Sequence, residues 1–237
     1  MPPDLSTAKG RRAIVLADGE TPPRALLDTA WPGWDEDVTH VVAADGGVRH
    51  AVGLGLHVDH WVGDGDSVSA GDLAALAAAG VRVDRVGTAK DESDAELALL
   101  AAIEDGATSI VLLGALGGGR FDHAISNLGL LRHPSLGVRP ITIYDEQAAR
   151  VSLLSGEGDD PRQWVLSGRV GDLVSLVPID GDVEGVETRG LEYPLDDEPL
   201  LAGRTRGVSN VRTEASATVA VRGGRLLVIE TPVTVDS

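Results

Sequence analysis

The sequence predicts an α/β protein, with an N-terminal open, mostly parallel sheet carrying helices on both faces, followed by a smaller all-β sandwich or barrel. Three observations carry this reading. Short β-branched runs alternate with Ala/Leu-rich helical segments through the first two-thirds of the chain, and that alternation implies parallel strands joined by crossover helices. A polar break at Gly156–Pro161 then interrupts the pattern, with the Gly/Asp/Pro composition of a linker. Beyond it only short strand-like runs between turn residues remain. The chain therefore divides into two domains, 1–155 and 156–237.

Element by element, strands are expected at Ala13–Leu16, Val38–Ala43, His60–Val62, Val81–Val86, Ser109–Leu113 and Ile141–Tyr144. Ser69 stands three residues before Asp72, and Ser93 three before Glu96. Each is a helix-start signal, because the Ser oxygen can accept from an otherwise unpaired N–H of the first turn. The first of these helices stops at Gly80 and the second at Gly106, and a third runs from Asp122 to Arg132. In the second domain, strands are expected at Gln163–Leu166, Leu173–Val177, Val183–Thr188, Thr218–Val221 and Leu226–Ile229. Arg222-Gly223-Gly224-Arg225 reads as a hairpin turn.

Composition narrows the functional classes. The 237 residues are 43% hydrophobic, enough for a core, and carry a formal charge of −17. Duplex nucleic acid and anionic membranes both require a basic face, so neither is expected as a partner. The absence of cysteine removes disulfides, thiol catalysis and cysteine-ligated zinc. No stretch reaches the roughly 18 apolar residues of a membrane span, and MPPDLSTAKGRR lacks an apolar signal core. A cytoplasmic location is expected.

The chemistry should lie where parallel strands end, because ligands of open α/β sheets bind outside the carboxyl ends of the strands. Four consecutive strand exits carry Gly with Asp. They are Asp45-Gly46-Gly47, Gly63-Asp64-Gly65-Asp66-Ser67, Lys90-Asp91-Glu92-Ser93-Asp94, and Gly117-Gly118-Gly119-Arg120-Phe121-Asp122. A merely acidic surface would scatter its acids onto helix faces as well. Asp64 and Asp66 are two carboxylates in one glycine-flanked loop, and they repel unless a cation lies between them. Such oxygen ligands suit Mg2+, which takes one or two carboxylates together with substrate phosphates. Lys90 and Arg120 supply local positive charge, and the glycines let backbone N–H groups approach phosphate. Metal-assisted phosphoryl transfer is the reaction class this set supports. His57 and His60 are spaced too irregularly for metal ligands and read as surface residues.

In order along the chain, AADGG (Ala43–Gly47), VGDGDSVS (Val62–Ser69), KDESDAELAL (Lys90–Leu99) and LGGGRFDHAISNLGLL (Leu116–Leu131) resemble the thiamine pyrophosphokinase family. VETRGLEYPL (Val186–Leu195), GVSNV (Gly207–Val211) and a closing strand after Gly223-Gly224 are similar to the thiamine-binding part of that family. The resemblance implies transfer of a pyrophosphoryl group from ATP to the thiamine hydroxyl, with Mg2+ required. It also implies a homodimer with active sites between subunits.

Carried over onto this sequence, it places the catalytic set at Asp64, Asp66, Arg120 and Asp122 and the metal ligands among Asp64, Asp66, Asp91 and Asp94. ATP contacts fall on Asp45, Gly46, Gly47, Lys90, Asp94, Gly118, Gly119 and Asn127, and thiamine contacts on Ser209, Asn210 and Tyr193. Gly65 departs from the pattern, standing where the family commonly has Phe or another bulky residue. Aromatic residues are scarce, and besides Tyr193 the stacking candidates are Trp164, Tyr144 and the N-terminal tryptophans. Alternatives are a pyrophosphokinase acting on a hydroxymethyl pterin, a haloacid-dehalogenase-like phosphatase with Asp64 as nucleophile, and a non-catalytic nucleotide- or thiamine-binding protein.

Overall fold

A computed structural model describes residues 10–87, 90–157 and 162–233. The chain separates into two compact units, Ala8–Gln147 and a second formed mainly by Ala148–Ser237. The first unit has six strands, β1 (Arg11–Leu16), β2 (Val38–Ala44), β3 (His60–Gly63), β4 (Arg82–Arg85), β5 (Ala107–Leu113) and β6 (Ile141–Tyr144). They form a sheet in the order β4-β3-β2-β1-β5-β6, and every pair is parallel. The middle strands are apolar on both faces, as in Ile14-Val15-Leu16 and Ile110–Leu113, which suits strands covered on both sides. From β1 the chain moves outward to β4 and then returns to the other side of β1 at β5. Strand order reverses there, at the carboxyl ends of β1 and β5, the position outside which ligands of open α/β sheets bind.

The helices of this unit are α1 (Arg24–Ala30), α2 (His50–Leu54), α3 (Ala70–Ala78), α4 (Asp94–Glu104) and α5 (Phe121–Gly129). Both Ser caps form as the spacing requires. Ser69 Oγ accepts from Asp72 N at 3.1 Å, and Ser93 Oγ accepts from Glu96 N at 3.2 Å. The second cap starts α4, whose buried face of Ala95, Ala98, Leu99 and Ala102 lies over the sheet. A Ser93→Ala variant should lose about 1 kcal/mol of stability, read by urea denaturation. A loss below about 0.2 kcal/mol would show that packing alone starts this helix. The expected Asp122–Arg132 helix ends earlier, at Gly129, and closes as a 3₁₀ turn over Leu130–Arg132.

The second unit is all β, with β7 (Arg150–Gly156), β8 (Arg162–Ser167), β9 (Leu173–Arg189), β10 (Glu198–Leu200), β11 (Asn210–Val211), β12 (Ser216–Val221) and β13 (Gly223–Thr231). It begins at Ala148, ahead of the Gly156–Pro161 break, because β7 pairs with β13 along its length. The two runs expected at Leu173–Val177 and Val183–Thr188 are limbs of one bent strand, β9. Its first limb pairs with β13 and its last with β12, and left-handed backbone at Asp180, Gly181 and Gly185 turns the corner between them. The expected hairpin at Arg222–Arg225 is therefore not a two-strand hairpin, since β12 and β13 flank β9 instead of pairing with each other. One core fills this unit, including Leu154, Trp164, Val174, Leu176, Val219 and Val228.

Candidate active site

Asp45 and Asp64 converge because of strand register. Ala44 lies opposite Val62 in the β2–β3 pair, so Asp45 leaves the sheet beside Gly63, one residue before Asp64. Oxygen atoms of Asp45, Asp64 and Asp66 all lie within 4.8 Å of one another. The loop holds itself in shape. Asp66 N donates to Asp64 Oδ1 at 3.1 Å, Ser67 Oγ donates to Asp66 Oδ1 at 2.9 Å, and Ser67 N donates to Asp45 Oδ2 at 3.2 Å. Trp61 Nε1 donates to the Asp45 carbonyl at 2.9 Å, fixing the start of the turn from below.

Asp45 is the unusual member. It is only 2% exposed, and its Oδ1 is buried without a hydrogen-bond partner. Burial, and secondarily a side-chain contact with Asp66, push its carboxyl above the ordinary carboxylate range. A buried carboxylate oxygen with no donor is costly, and a cation among the three acids would satisfy it. These oxygen donors therefore fit the magnesium that the resemblance implies. Asp45 stands with Asp64 and Asp66 in this cluster, and Asp91 and Asp94 lie outside it. Asp94 instead pairs with Lys90, whose Nζ also lies 4.0 Å from Asp64 Oδ2.

Gly65, the departure from the family pattern, has φ +78°, a conformation that side chains disfavour. A Cβ there would stand 2.7 Å from Arg85 Nη2 and 3.3 Å from Leu73 Cδ1. Arg85, at the end of β4, thus occupies the room a bulky side chain would need and brings a guanidinium to the acid loop. No sequence motif marked Arg85, although it directly precedes the Lys90 segment.

The other expected nucleotide contacts divide into exposed and structural residues. Gly118 and Gly119 have φ of +95° and +76° and shape the loop ahead of α5. Asn127 is buried, and its Nδ2 donates to the Ala115 carbonyl at 2.8 Å, so it braces that loop from inside. Gly46 and Gly47 are buried too, with room only for hydrogen because Asp18 and the Leu16 carbonyl crowd them. The exit of β1, missed in the sequence, belongs to the same rim. Asp18 pairs with Arg49, and Gly19 N donates to the Gly114 carbonyl at 2.9 Å. The signal was available, since Asp18-Gly19 repeats the Asp/Gly pairing of the other strand exits.

Arg120 and Asp122 form a two-pronged pair, Nε to Oδ1 at 2.9 Å and Nη2 to Oδ2 at 2.6 Å. The Arg120 hydrogen bonds hold the Asp122 carboxyl far below the usual carboxylate range, and Asp122 raises Arg120 in return. In this arrangement Asp122 is a weak base and a good hydrogen-bond acceptor.

In the β unit, Asn210 is buried and clamps the backbone of Tyr193. Its Oδ1 accepts from Tyr193 N at 3.0 Å, and its Nδ2 donates to the Tyr193 carbonyl at 2.7 Å. Ser209, at φ +59°, is fixed by its N–H donating to Ser175 Oγ at 2.9 Å. The three residues come together, with Asn210 positioning Tyr193, which is 64% exposed, and Ser175 holding Ser209. Trp31, Trp34, Trp164 and Tyr144 are all buried in cores, so they offer no stacking face.

Fold and site together define a phosphotransferase, in which a parallel α/β unit with acid-and-glycine loops at its strand ends accompanies a separate β unit. Residues 34–142 match the thiamin pyrophosphokinase catalytic domain, and residues 165–226 match the vitamin B1 binding domain of thiamin pyrophosphokinase. Thiamine pyrophosphokinase of Bacillus subtilis is 25% identical over 197 residues, covering 83% of this chain and 89% of the relative. The crystal structure of thiamin pyrophosphokinase from Geobacillus thermodenitrificans superposes with a TM-score of 0.76 at 28% identity, covering 94% of this chain and 98% of that one. The yeast thiamin pyrophosphokinase structure shares the fold, with a TM-score of 0.72 at 14% identity over 96% of this chain and 88% of that chain. The chain belongs to the thiamin pyrophosphokinase family. Its activity is transfer of a pyrophosphoryl group to thiamine, which sets aside the pterin, phosphatase and binding-only alternatives.

Proposed function

We propose that the donor is ATP, that Asp45, Asp64 and Asp66 hold the required Mg2+, and that the enzyme works as a cytoplasmic homodimer. The observation that carries the metal assignment is the buried, unpartnered Asp45 Oδ1 beside two further carboxylates. When bound, the metal supplies neutralisation of phosphate charge. The thiamine hydroxyl oxygen forms a bond to the β-phosphorus, the bond from that phosphorus to the oxygen bridging the α-phosphate breaks, and AMP leaves with the bridging oxygen. The hydroxyl proton is released to solvent.

The remaining roles belong to the chain. Asp122, kept ionised by Arg120, accepts a hydrogen bond from the hydroxyl and aims it. Orientation of this kind gains more than basicity when the transition state is loose. Arg120 and Lys90 face the transferring oxygens, with Lys90 exchanging Asp94 for phosphate. Gly118 and Gly119 give the nucleotide a close backbone approach. Tyr193, set in place by Asn210, stacks on a thiamine ring, and Ser209, set in place by Ser175, bonds its polar edge. Phe121 and Ile125, one helical turn apart on α5 next to Asp122, are 77% and 55% exposed. Such a pair beside a charged site favours cover by a second subunit. The absence of cysteine and the acidic composition suit a reducing cytoplasm.

A chromatographic assay with ATP, Mg2+ and thiamine tests the reading. Equal amounts of AMP and thiamine diphosphate are expected, both abolished by a chelator. ADP with thiamine monophosphate would overturn attack at the β-phosphorus, and a chelator-resistant rate would overturn the metal. Sedimentation of a monomer at assay concentration would overturn the shared site.

A further inference from the structure

At the opposite ends of β2 and β3 from the acid crevice lies a second cluster of ligand-type side chains. His40, near the start of β2, and His60, the first residue of β3, are both buried. Asp105, the residue capping the carboxyl end of α4, sits between them. Its Oδ2 is 2.8 Å from His40 Nε2 and 2.8 Å from His60 Nδ1. This corrects the reading of His60 as a surface residue. At about 3.3 Å of rise per residue, the four residues from His60 to Asp64 separate this cluster from the crevice by roughly 13 Å.

We infer that His40, His60 and Asp105 form a second metal centre, for a divalent transition-metal ion of the zinc class. One donor nitrogen from each histidine and one Asp105 oxygen lie within 4.8 Å of one another. Two imidazoles and a carboxylate select zinc-like ions, whereas the all-oxygen set at Asp45 selects magnesium. His60 also has the outward carboxylate that orients a metal-ligating imidazole, and His40 has a carboxylate at ion-pair distance. His60 Nε2 is 3.0 Å from Asp84 Oδ2, and His40 Nδ1 is 3.6 Å from Asp59 Oδ2. The carboxyl end of α4 adds negative potential at the same point.

Charge balance points the same way. Asp59, Asp84 and Asp105 face the two imidazoles, and Arg82 is the guanidinium paired with Asp84 and Asp105. Arg11 reaches the Asp105 carbonyl, not its carboxylate, among the described residues. Neutral imidazoles would leave two negative charges uncompensated, and either two protons or one divalent ion supplies the balance. The 2.8 Å contacts are of hydrogen-bond length, and the edges of a tetrahedron with bonds of about 2.0–2.1 Å are near 3.3 Å. Entry of the ion thus displaces the bridging protons and opens the cluster by about half an ångström. Metal and proton compete for the same nitrogens, so affinity rises with pH. The bound ion ties β2, β3 and the turn between α4 and β5 together.

The test uses the full chain, stripped by chelator and held in saturating Mg2+ so that the acid crevice is occupied. Titration with ZnCl2 at pH 8 should show one equivalent bound with Kd of about 1 µM or below, weakening at least about tenfold at pH 6. Co2+ in place of zinc should give the strong visible bands of a four-coordinate, imidazole-ligated ion. His40→Gln and His60→Gln should each weaken zinc by at least about 100-fold, while His57→Gln, an exposed neighbour, should leave it unchanged. Absence of uptake, uptake indifferent to His40→Gln and His60→Gln, or only the faint bands of a six-coordinate oxygen site would each overturn the inference. Should a variant fail to fold, the wild-type cobalt spectrum and pH dependence decide alone.

Discussion

An Asp45→Asn variant should turn over about 10²–10³-fold more slowly than the parent and yet, in the presence of a chelator, should melt at a higher temperature. Both effects come from the same buried carboxylate. Asp45 Oδ1 has no partner among the described residues, and burial raises its carboxyl above the ordinary carboxylate range. A carboxyl raised in the folded state contributes stability that is fully present below its unfolded value and lost as pH rises through the folded one. The metal-free parent at neutral pH carries that loss. Asn does not titrate, and its amide can donate to the neighbouring carboxylates while its oxygen keeps the Ser67 N–H. Asn also tolerates the left-handed φ of +42° found here.

The advantage of the variant in chelator should therefore grow from acidic pH toward neutrality and then level off. Added Mg2+ should raise the melting temperature of the parent more than that of the variant. The loss of rate follows because metal stabilisation of phosphate charge is worth several kcal/mol, and each 1.36 kcal/mol is tenfold. Unchanged kcat, or a lower melting temperature in chelator, would remove Asp45 from the metal site.

The second large effect is on stability and lies in the β unit. Glu230→Gln should destabilise the protein by about 3–5 kcal/mol. Glu230 is buried, and its carboxylate takes Arg212 Nη2 at 2.6 Å and Arg150 Nε and Nη2 at 2.8 and 2.9 Å. Arg212 is itself buried, with Nη1 on the Leu166 carbonyl and Nε unpartnered. Burial pulls its guanidinium below the ordinary value, and Glu230 works against that. Removing the acid that Arg212 and Arg150 share leaves Arg212 a desolvated cation without its hydrogen-bonded carboxylate, which costs far more than the pair itself contributes. A double replacement by apolar residues, Glu230→Leu with Arg212→Met, should regain much of the loss. Urea unfolding reads both. A loss below about 1 kcal/mol for the single variant would show that water reaches Arg212. Because Arg212 follows the Ser209-Asn210 segment, the single variant should also raise KM for thiamine more than it lowers kcat.

Much of the fold was legible in the sequence because its signals are local. Ser69 and Ser93 announce their helices through a contact three residues away, and the apolar strand runs mark the parallel sheet. The rule that ligands gather at carboxyl strand ends then led from strand positions to Asp45, Asp64, Lys90 and Arg120. Short elements were harder. The helix His50–Leu54 and the strands Glu198–Leu200 and Asn210–Val211 have too few residues for a period to register. The joined strand Leu173–Arg189 read as two because Asp180 and Gly181 look like a turn, and in the structure they are a corner that keeps pairing on both sides.

Within the site, the structure adds contacts between distant segments that no local pattern shows. Asn127 and Asn210 read in the sequence as ligand amides, and in the structure each also donates to a backbone carbonyl. Asp45 looks like an ordinary turn residue, and only β2–β3 register and burial bring its carboxylate to Asp64 and Asp66. Arg85 reaches the acid loop because Gly65 leaves room for it. His60, 45 positions from Asp105, meets it only after β3 and α4 pack. The sequence by itself determined the two-part architecture, the strand-end acids and the family, since these depend on neighbours a few residues apart and on motif order. Tertiary structure alone decided which acid is buried without a partner, which amide is a brace and which histidines converge. Those properties depend on register and desolvation across distant segments, which no local pattern encodes.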